Sequence, residues 1–357
     1  MTWVFLVLIV ILIIYLERNW ASIKMCQLRY MTEPEANMAE KDEDIKLTSS
    51  IANTSRLPVS FVTVSENLPE KAELVGSDYY VSSHLMSVGD KRFVKRNYAL
   101  GPLRKVSRVE KFKVGKRGVY RYGDYSIFTG DFFGLKHLRV DGHIPKHVAI
   151  LPSKPNNRDI SEIVGGFIGD ISVRRFIMED PILTVGFNEY TGREPLRDIS
   201  WKRTAIQGKL MVNKYDYTSE PLAMILLNLE GGNEAQVERC FELVRMAVEM
   251  LEEKKIPYAF RTNGMIFGPE GSISYVPSGV GKQHYKTLMY GLAGASTGCW
   301  YSFDTLVRTA LKARGINEHY LVVTVPTDDK AKATLKALSR STGAELCVLV
   351  GKEEADV

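Results

Sequence analysis

From residue 215 onward, short apolar runs alternate with segments of helical periodicity. Residues 223–229 form an apolar run, which is typical of a strand buried on both faces of a sheet. In residues 235–254, apolar side chains share one stripe and charged side chains line the opposite face, as in an amphipathic helix. Further strands are indicated at 257–261, 319–325 and 345–350, and further helices at 283–294, 304–314 and 328–342. This alternation predicts a doubly wound, mostly parallel α/β sheet over residues 215–357.

The preceding part of the chain has a different pattern. Between residues 47 and 152, β-branched and aromatic runs are separated by Gly, Pro, Asn and Asp, and no helical periodicity interrupts them. This pattern predicts a β-sandwich module over 47–152. Residues 153–214 then form a connector, and the polar, acidic residues 21–46 a linker. The predicted fold class is therefore α/β plus all-β.

The N-terminus begins with an apolar segment. Residues 3–16 are an unbroken apolar run of fourteen residues, about 21 Å long as a helix, and Arg18 could extend the span by snorkelling. We therefore expect a transmembrane anchor over residues 1–20. Arg18, Lys24 and Arg29 follow the run, so the positive-inside rule predicts a single-pass membrane protein with a cytoplasmic body. Four widely spaced cysteines also favour a reducing compartment.

No complete catalytic or metal-binding constellation is recognisable, so we expect a protein that is not an enzyme and has no metal and no cofactor. Ser296 lies in a Gly-x-Ser-x-Gly pattern, but the residues before it indicate a helix instead of the strand that a nucleophile elbow requires.

The segment 86–121 is strongly basic, with twelve Lys or Arg residues and two acids. Interleaved aromatic residues make nucleic-acid binding an alternative function. The same spacing also fits strands with aromatic side chains inward and lysines outward, and we consider a nucleic-acid partner unlikely.

The connector contains the most unusual stretch, residues 187–212, FNEYTGREPLRDISWKRTAIQGKLMV. The candidate site residues there are Glu189, Tyr190, Gly192, Arg197, Trp201 and Lys202. One interpretation is an interdomain joint in which Arg197 pairs with a carboxylate and Trp201 acts as a hydrophobic plug. The other is a docking surface, since Arg, Tyr and Trp are common among residues that dominate binding energy.

This stretch resembles the hallmark motif of the bacterial membrane-associated family called domain of unknown function 58. The chain carries these residues of that motif: Glu189, Tyr190, Gly192, Arg197, Ile199, Trp201, Ala205, Leu210 and Val212. It departs from the motif at Asn188, Arg193, Ser200, Thr204 and Ile206. Residues 117–120 and 131–135 are similar to two further features of the family.

The resemblance implies a C-terminal von Willebrand factor A-like domain. Such domains can hold a divalent cation at positions that correspond here to Asn228, Glu230 and Gly232. Only one carboxylate and no hydroxyl remains there, so we interpret these positions as a degenerate metal site.

The resemblance also implies an association with MoxR-type AAA+ ATPases. Our leading hypothesis is therefore a non-enzymatic, membrane-anchored adaptor that binds protein partners, located at a bacterial cell membrane. An envelope-facing adhesin or cell-wall-acting enzyme remains the alternative, and the oligomeric state is open.

Overall fold

The computed structural model divides the chain into two units, Met1–Ser153 and Lys154–Val357. It describes residues 2–69, 71–75, 83–88, 91–130, 137–155, 158–175, 180–192, 194–216, 222–268, 271–315, 317–342 and 346–351.

The first unit consists of one helix and ten strands in its described part. The helix is α1 (Thr2–Cys26), and the strands are β1 (Leu28–Pro34), β2 (Met38–Ala39), β3 (Ile45–Asn53), β4 (Val59–Asn67), β5 (Ala72–Val75), β6 (Ser83–Val88), β7 (Lys91–Leu100), β8 (Lys105–Val114), β9 (Gly118–Gly130) and β10 (His137–Ile150). The strands form a sheet of order β1-β3-β8-β5 and a sheet of order β2-β10-β9-β4-β7-β6.

The two sheets bury their facing side chains against each other. Along β3, every second residue is buried, which is the period expected of a strand with one face on a core. Leu47 of β3 and Phe112 of β8 share a cluster with Val94 of β7 and Val148 of β10, so both sheets contribute to one core. The range 21–46 also contributes to this arrangement, because β1 pairs antiparallel with β3 along its whole length.

The predicted transmembrane anchor is wrong. Among the residues that the structure describes, no helix is long and apolar enough to cross a membrane. The search covers α1 where its side chains are described, at residues 3–15. An apolar run of about 21 Å is shorter than the ~30 Å hydrocarbon core of a bilayer. The predicted single-pass membrane localisation, which depended on this anchor, is therefore also corrected.

The second unit mixes helices and strands. Its helices are α2 (Arg158–Arg175), α3 (Trp201–Gln207), α4 (Glu234–Glu253), α5 (Lys282–Ala293), α6 (Phe303–Lys312) and α7 (Asp329–Thr342), with a 3-10 turn at Leu196–Asp198. Its strands are β11 (Asp180–Glu189), β12 (Met211–Asp216), β13 (Leu222–Asn228), β14 (Tyr258–Gly268), β15 (Gly271–Gly279), β16 (Glu318–Thr324) and β17 (Cys347–Val350).

Five of these strands form one sheet of order β15-β14-β13-β16-β17. β14, β13, β16 and β17 are parallel, whereas β15 pairs antiparallel with β14. Helices α6 and α7 cover one face, where Leu306 and Leu338 pack on Met224 and Val322. The central strand β13 ends at Asn228, so the carboxyl ends of β13 and β16 meet at one edge. We call this edge the carboxyl edge. In parallel α/β sheets, ligands bind beyond such an edge.

Helix α4 follows β13 and begins with a capping box. The Asn233 side chain accepts a hydrogen bond from the Gln236 backbone N–H at 2.8 Å, and the Gln236 side chain accepts one from the Asn233 N–H at 3.1 Å. These bonds satisfy two of the N–H groups that a helix start leaves without partners. The cap fixes where the connection from β13 must end, and thereby holds the loop 229–232 at the carboxyl edge.

Candidate functional site

The motif stretch forms the connection between the antiparallel strands β11 and β12. Glu189 at the end of β11 lies opposite Met211 at the start of β12. Main-chain bonds close the connection, since the Tyr190 N–H donates to Leu210 O at 2.8 Å and the Ser200 N–H donates to Met211 O at 2.8 Å. The structure therefore brings the candidate residues together in a single loop-and-helix unit: Glu189, Tyr190, Gly192, Arg197, Trp201 and Lys202.

A small set of contacts holds helix α3 on this hairpin. Ile199 is buried and bridges Val212 of β12. The Thr204 hydroxyl accepts a hydrogen bond from the Met211 N–H at 3.0 Å, and Gly208 ends the helix in a left-handed conformation with φ 67°. A seven-residue helix is too short to be stable alone in water, so these contacts fix its position.

Helix α3 buries none of its own residues. Trp201 is 69% exposed and Ile206 is 66% exposed, and Leu196 of the preceding 3-10 turn is equally accessible. A hydrophobic plug would be buried, so the exposure of Trp201 favours the docking interpretation. Three large exposed apolar side chains thus occur within residues 196–206, and exposed apolar patches commonly mark interaction sites. We call the following set the motif surface: Leu196, Arg197, Trp201, Lys202 and Ile206.

The same stretch carries several basic side chains. The side chain of Arg197 is 86% exposed, and its Nε lies 3.8 Å from Asp198 Oδ1. An ion pair this exposed contributes little stability, so Arg197 stays accessible to a partner. The Arg203 guanidinium lies 4.7 Å from the centre of the Phe187 ring, and Lys209 pairs with Glu189 at 3.3 Å.

The three positions of the degenerate metal site lie at the carboxyl edge. Asn228 is buried at the end of β13, and its Oδ1 accepts hydrogen bonds from Asn263 Nδ2 at 2.7 Å and from the Glu230 N–H at 3.1 Å. Its Nδ2 donates to Thr324 Oγ1 at 2.9 Å. Both polar atoms of this amide therefore bond within the protein, linking the ends of β13 and β16 to the middle of β14.

Glu230 has a structural partner at the same edge. Its Oε2 accepts a hydrogen bond of 2.6 Å from the Phe303 N–H at the start of α6. A carboxylate is favourable at a helix N-terminus, where backbone N–H groups lack partners and the helix dipole is positive.

Gly232 is required by close packing. A Cβ at this position would lie 2.4 Å from Val325 Cγ1 and 3.1 Å from Val237 Cγ2. A serine hydroxyl, the third ligand of an intact site, therefore has no room on this backbone. Within the ranges that the structure describes, no three His, Cys, Asp or Glu side chains are arranged to hold a metal ion.

The basic segment 86–121 does not form a uniformly charged surface. Arg96 of β7 is buried, and its guanidinium bonds to Glu66 Oε2 at 2.8 Å and to Glu110 Oε1 at 2.6 Å. Lys111 and Lys113 both approach Asp44, at 3.8 and 3.2 Å. Part of the positive charge that suggested nucleic acid is thus neutralised within the protein.

At Arg96, burial and the neighbouring carboxylates shift the pKa of the guanidinium in opposite directions. Burial by itself lowers the pKa of the guanidinium, but the adjacent Glu66 and Glu110 carboxylates raise it above its usual range. Arg96 therefore stays charged inside the sandwich. Alternating hydrophobicity along β7 places residue 96 on the inward face, and this was the one sequence signal that could have identified it.

One feature of the carboxyl edge was missed by sequence reasoning. The loop 294–302 lies beside the second half of β14, where the Ser296 N–H donates to Met265 O at 3.1 Å and the Trp300 N–H donates to Asn263 O at 2.8 Å. Trp300 is 68% exposed. A tryptophan between turn residues is a signal for a surface aromatic, but only the fold shows which edge it occupies.

Of the two further segments that carry the family resemblance, the structure describes only the first. Residues 117–120 lie at the start of β9. Residues 131–135, like Arg193 of the central motif, lie outside the described residues.

No family model matches this chain, and no curated protein matches it. Solved structures with some similarity include a CARDB domain from Pyrococcus furiosus, which is 9% identical in sequence. That match covers 34% of this chain and 91% of the CARDB domain, with a TM-score of 0.21. A non-cellulosomal cohesin from Archaeoglobus fulgidus has 16% identity, the same two coverages and a TM-score of 0.24.

A β-N-acetylglucosaminidase from Vibrio harveyi has 10% identity and a TM-score of 0.23, and the match covers 87% of this chain and 59% of that one. At these TM-scores, none of the three similarities carries an argument about function.

The predicted fold class is corrected in a second respect. The prediction of a von Willebrand factor A-like domain is reduced to what the structure shows, a five-stranded sheet with four parallel strands and an antiparallel edge strand, accompanied by helices. The chain is rich in strands, and the alternation of strands and helices after residue 215 is common to many parallel α/β folds. Such a pattern indicates an architecture and does not single out one family.

Proposed function

We propose that this chain is a non-enzymatic adaptor that binds a partner protein through the motif surface. The observation that carries the proposal is the exposure of helix α3, which buries none of its residues and presents Trp201 and Ile206 to solvent. Leaving large apolar side chains in water is unfavourable, and covering them on binding stabilises a complex by about 25 cal/mol per Å² of buried apolar surface.

The chemistry of the surface defines the partner. The motif surface combines the exposed apolar side chains of Trp201, Ile206 and Leu196 with the exposed cations Arg197 and Lys202. The complementary surface is an apolar groove or helix face with acidic residues at its rim. Arg and Trp at the centre of an interface often contribute most of its binding energy.

The resemblance to domain of unknown function 58 supplies a candidate of this kind. Proteins of that family are associated with MoxR-type AAA+ ATPases, so we propose such an ATPase as the partner.

The test compares variants of the full-length protein in binding to the MoxR-type ATPase from the same organism. Trp201→Ala should weaken the complex about 30-fold, because truncating a central interface residue costs about 2 kcal/mol or more. Arg197→Glu and Lys202→Glu should weaken it as well, and they change exposed side chains that have no role in the local fold. Val109→Ala is the matched control, since Val109 is also an exposed apolar residue but lies on β8.

Calorimetry with both purified proteins gives the affinities, and thermal melting checks that each variant is folded. Equal affinities for the wild type and all three motif variants would overturn the proposal. So would a lowered melting temperature of Trp201→Ala combined with unchanged affinity of the two charge-reversal variants, because that result assigns the motif to folding.

A further inference from the structure

The Glu66 carboxylate lies buried between the two sheets of the first unit, and its two oxygens differ in their contacts. Glu66 Oε2 accepts hydrogen bonds from the Ser49 hydroxyl at 2.9 Å and from the Arg96 guanidinium at 2.8 Å. Glu66 Oε1 is also buried, but it has no hydrogen-bond partner among the residues that the structure describes. A buried carboxylate oxygen of this kind requires an explanation, because native proteins pair nearly all buried polar atoms.

Two buried phenol hydroxyls also lack partners. Tyr30 of β1 is 6% exposed and Tyr122 of β9 is 2% exposed. Within the described part of the chain, neither hydroxyl oxygen makes a hydrogen bond. Three polar atoms of one buried region, two of them donors and one an acceptor, are therefore left without partners by the protein itself.

The strand pairing brings these three groups together. Glu66 of β4 lies opposite Tyr125 of β9, and the Tyr125 ring centre is 4.8 Å from that of Tyr30. Tyr122 lies on the same strand as Tyr125. Burial raises the pKa of both Tyr30 and Tyr122, and the neighbouring Glu66 carboxylate raises it further. Both phenols are thus close enough to Glu66 to sense its charge, although neither bonds to it directly.

The chemistry of the three atoms defines a ligand. A phenol hydroxyl can donate one hydrogen bond, and a carboxylate oxygen only accepts. A water molecule can accept from both phenols and donate to Glu66 Oε1. Buried waters typically make about three hydrogen bonds to groups that have no other partner, and water commonly bridges polar groups that do not meet directly. A divalent metal ion would instead require six or more oxygen ligands around one point.

We propose that one water molecule is bound at this site, accepting hydrogen bonds from Tyr30 and Tyr122 and donating one to Glu66 Oε1. Tyr30 belongs to the first sheet, whereas Tyr122 and Glu66 belong to the second, so the water joins the two sheets. Strand β1, which carries Tyr30, is at the edge of its sheet, and the water links this edge strand to the opposite sheet. The site is independent of the motif surface and of the proposed adaptor function.

The experiment measures the oxygen-17 relaxation dispersion of water in solutions of the full chain, whose amplitude reports water molecules held for long times inside a folded protein. Tyr30→Phe combined with Tyr122→Phe keeps both rings and removes both donors. The amplitude should fall by the contribution of one water molecule. Tyr320→Phe is the matched control, because Tyr320 is also a buried tyrosine but its hydroxyl donates to Glu318 Oε2 at 2.8 Å. This control should leave the amplitude unchanged.

A crystal structure of the wild-type chain supplies a test that needs no variant. One water oxygen should lie about 2.5–3.0 Å from both phenol oxygens and from Glu66 Oε1. A direct hydrogen bond from either phenol to Glu66 in that structure would overturn the proposal. So would equal dispersion amplitudes of the wild type and the double variant.

A sodium ion is the remaining alternative, and melting temperatures distinguish it from water. The wild type and the double variant are compared in NaCl and in choline chloride at the same ionic strength. A bound water predicts that the two salts have the same effect on both proteins. A higher melting temperature in NaCl that disappears in the double variant would assign the site to a sodium ion and overturn the proposal.

Discussion

The two units each contain a buried polar cluster, but one cluster is charged and the other is neutral. In the first unit, the Arg96 guanidinium lies between the carboxylates of Glu66 and Glu110, within the sandwich. In the second unit, the side chains of Asn228, Asn263 and Thr324 join the ends of β13 and β16 to the middle of β14 through amide and hydroxyl groups. The first cluster connects two sheets, and the second connects strands of one sheet.

The difference reflects where each cluster lies. Arg96 and Glu66 have side chains with 0% exposure, so neither ion reaches bulk solvent and each depends on the other. The Asn228 cluster lies at the carboxyl edge, where neutral amide and hydroxyl groups bond to one another and to the backbone, and where the Glu230 carboxylate caps α6. The charged cluster thus joins two sheets inside a core, while the neutral one holds neighbouring strands together at the edge of one sheet.

The largest expected effect is the loss of Arg96. Arg96→Met leaves two carboxylates without their cation in the sandwich, and we expect the first unit to lose about 3–5 kcal/mol of stability. Hydrogen exchange of the β4 and β7 amides, measured by mass spectrometry on the full chain, reports that unit alone. Replacing all three partners together, as Arg96→Met with Glu66→Leu and Glu110→Leu, should restore much of the loss. Arg139→Ala, which breaks an exposed pair with Asp141, should cost less than about 1 kcal/mol.

If Arg96→Met and Arg139→Ala changed exchange at β4 and β7 equally, the buried cluster would have no special role in the sandwich. The buried charged cluster of the first unit would then stabilise the protein no more than an exposed ion pair does.

The neutral cluster should be less costly to break. Asn228→Leu removes hydrogen bonds to Asn263, Thr324 and the Glu230 N–H, and we expect a loss of about 2 kcal/mol, because each buried group left without a partner costs about 1–3 kcal/mol and some regain water at the edge. Hydrogen exchange of the β13 and β16 amides measures this loss. Asn188→Ala, at an exposed asparagine on β11, is the control and should change nothing. A loss in Asn228→Leu larger than that in Arg96→Met would reverse the comparison.

The smallest expected effect concerns the charge of Glu249, whose side chain is partly buried. Burial raises the pKa of the Glu249 carboxyl, but hydrogen bonds from Lys154 at 2.6 Å and Arg245 at 2.9 Å outweigh it, so the pKa lies below its ordinary value of 4.5. Because the folded-state pKa is depressed, the unfolded chain binds the proton more tightly. The ionised Glu249 carboxylate, bonded to Lys154 and Arg245, therefore stabilises the second unit above pH 4.5. This contribution is lost as the pH falls through the folded-state pKa of Glu249.

Glu249→Gln should thus lower the melting temperature of the second unit at pH 7 by a few degrees, and the difference from the wild type should be smaller at pH 3. Melting curves of the wild type and the variant at both pH values measure the difference. Lys154→Gln should reproduce part of the effect. An equal decrease at pH 3 and pH 7 would show that Glu249 acts through packing and not through its charge.

Local patterns predicted many elements of the second unit. The helix expected at 235–254 is α4 (Glu234–Glu253), and the strand expected at 223–229 is β13 (Leu222–Asn228). Both depend on side-chain periodicity, which a segment carries in its own residues. Strand β15 was not predicted, because Gly, Ser and Pro weaken its pattern and its pairing with β14 supplies the order.

In the candidate sites, too, some features follow from local sequence and others depend on contacts between distant residues. The sequence by itself determined the alternation of strands and helices after residue 215 and the unusual stretch 187–212. Only the tertiary structure decided that Arg96 is buried, that Trp201 is exposed, and that the Trp300 backbone bonds to Asn263 of β14. Periodicity is a property of neighbouring residues, whereas burial and proximity depend on contacts between residues far apart in the chain. For this reason the motif could be recognised from the sequence, but the surface it forms could not.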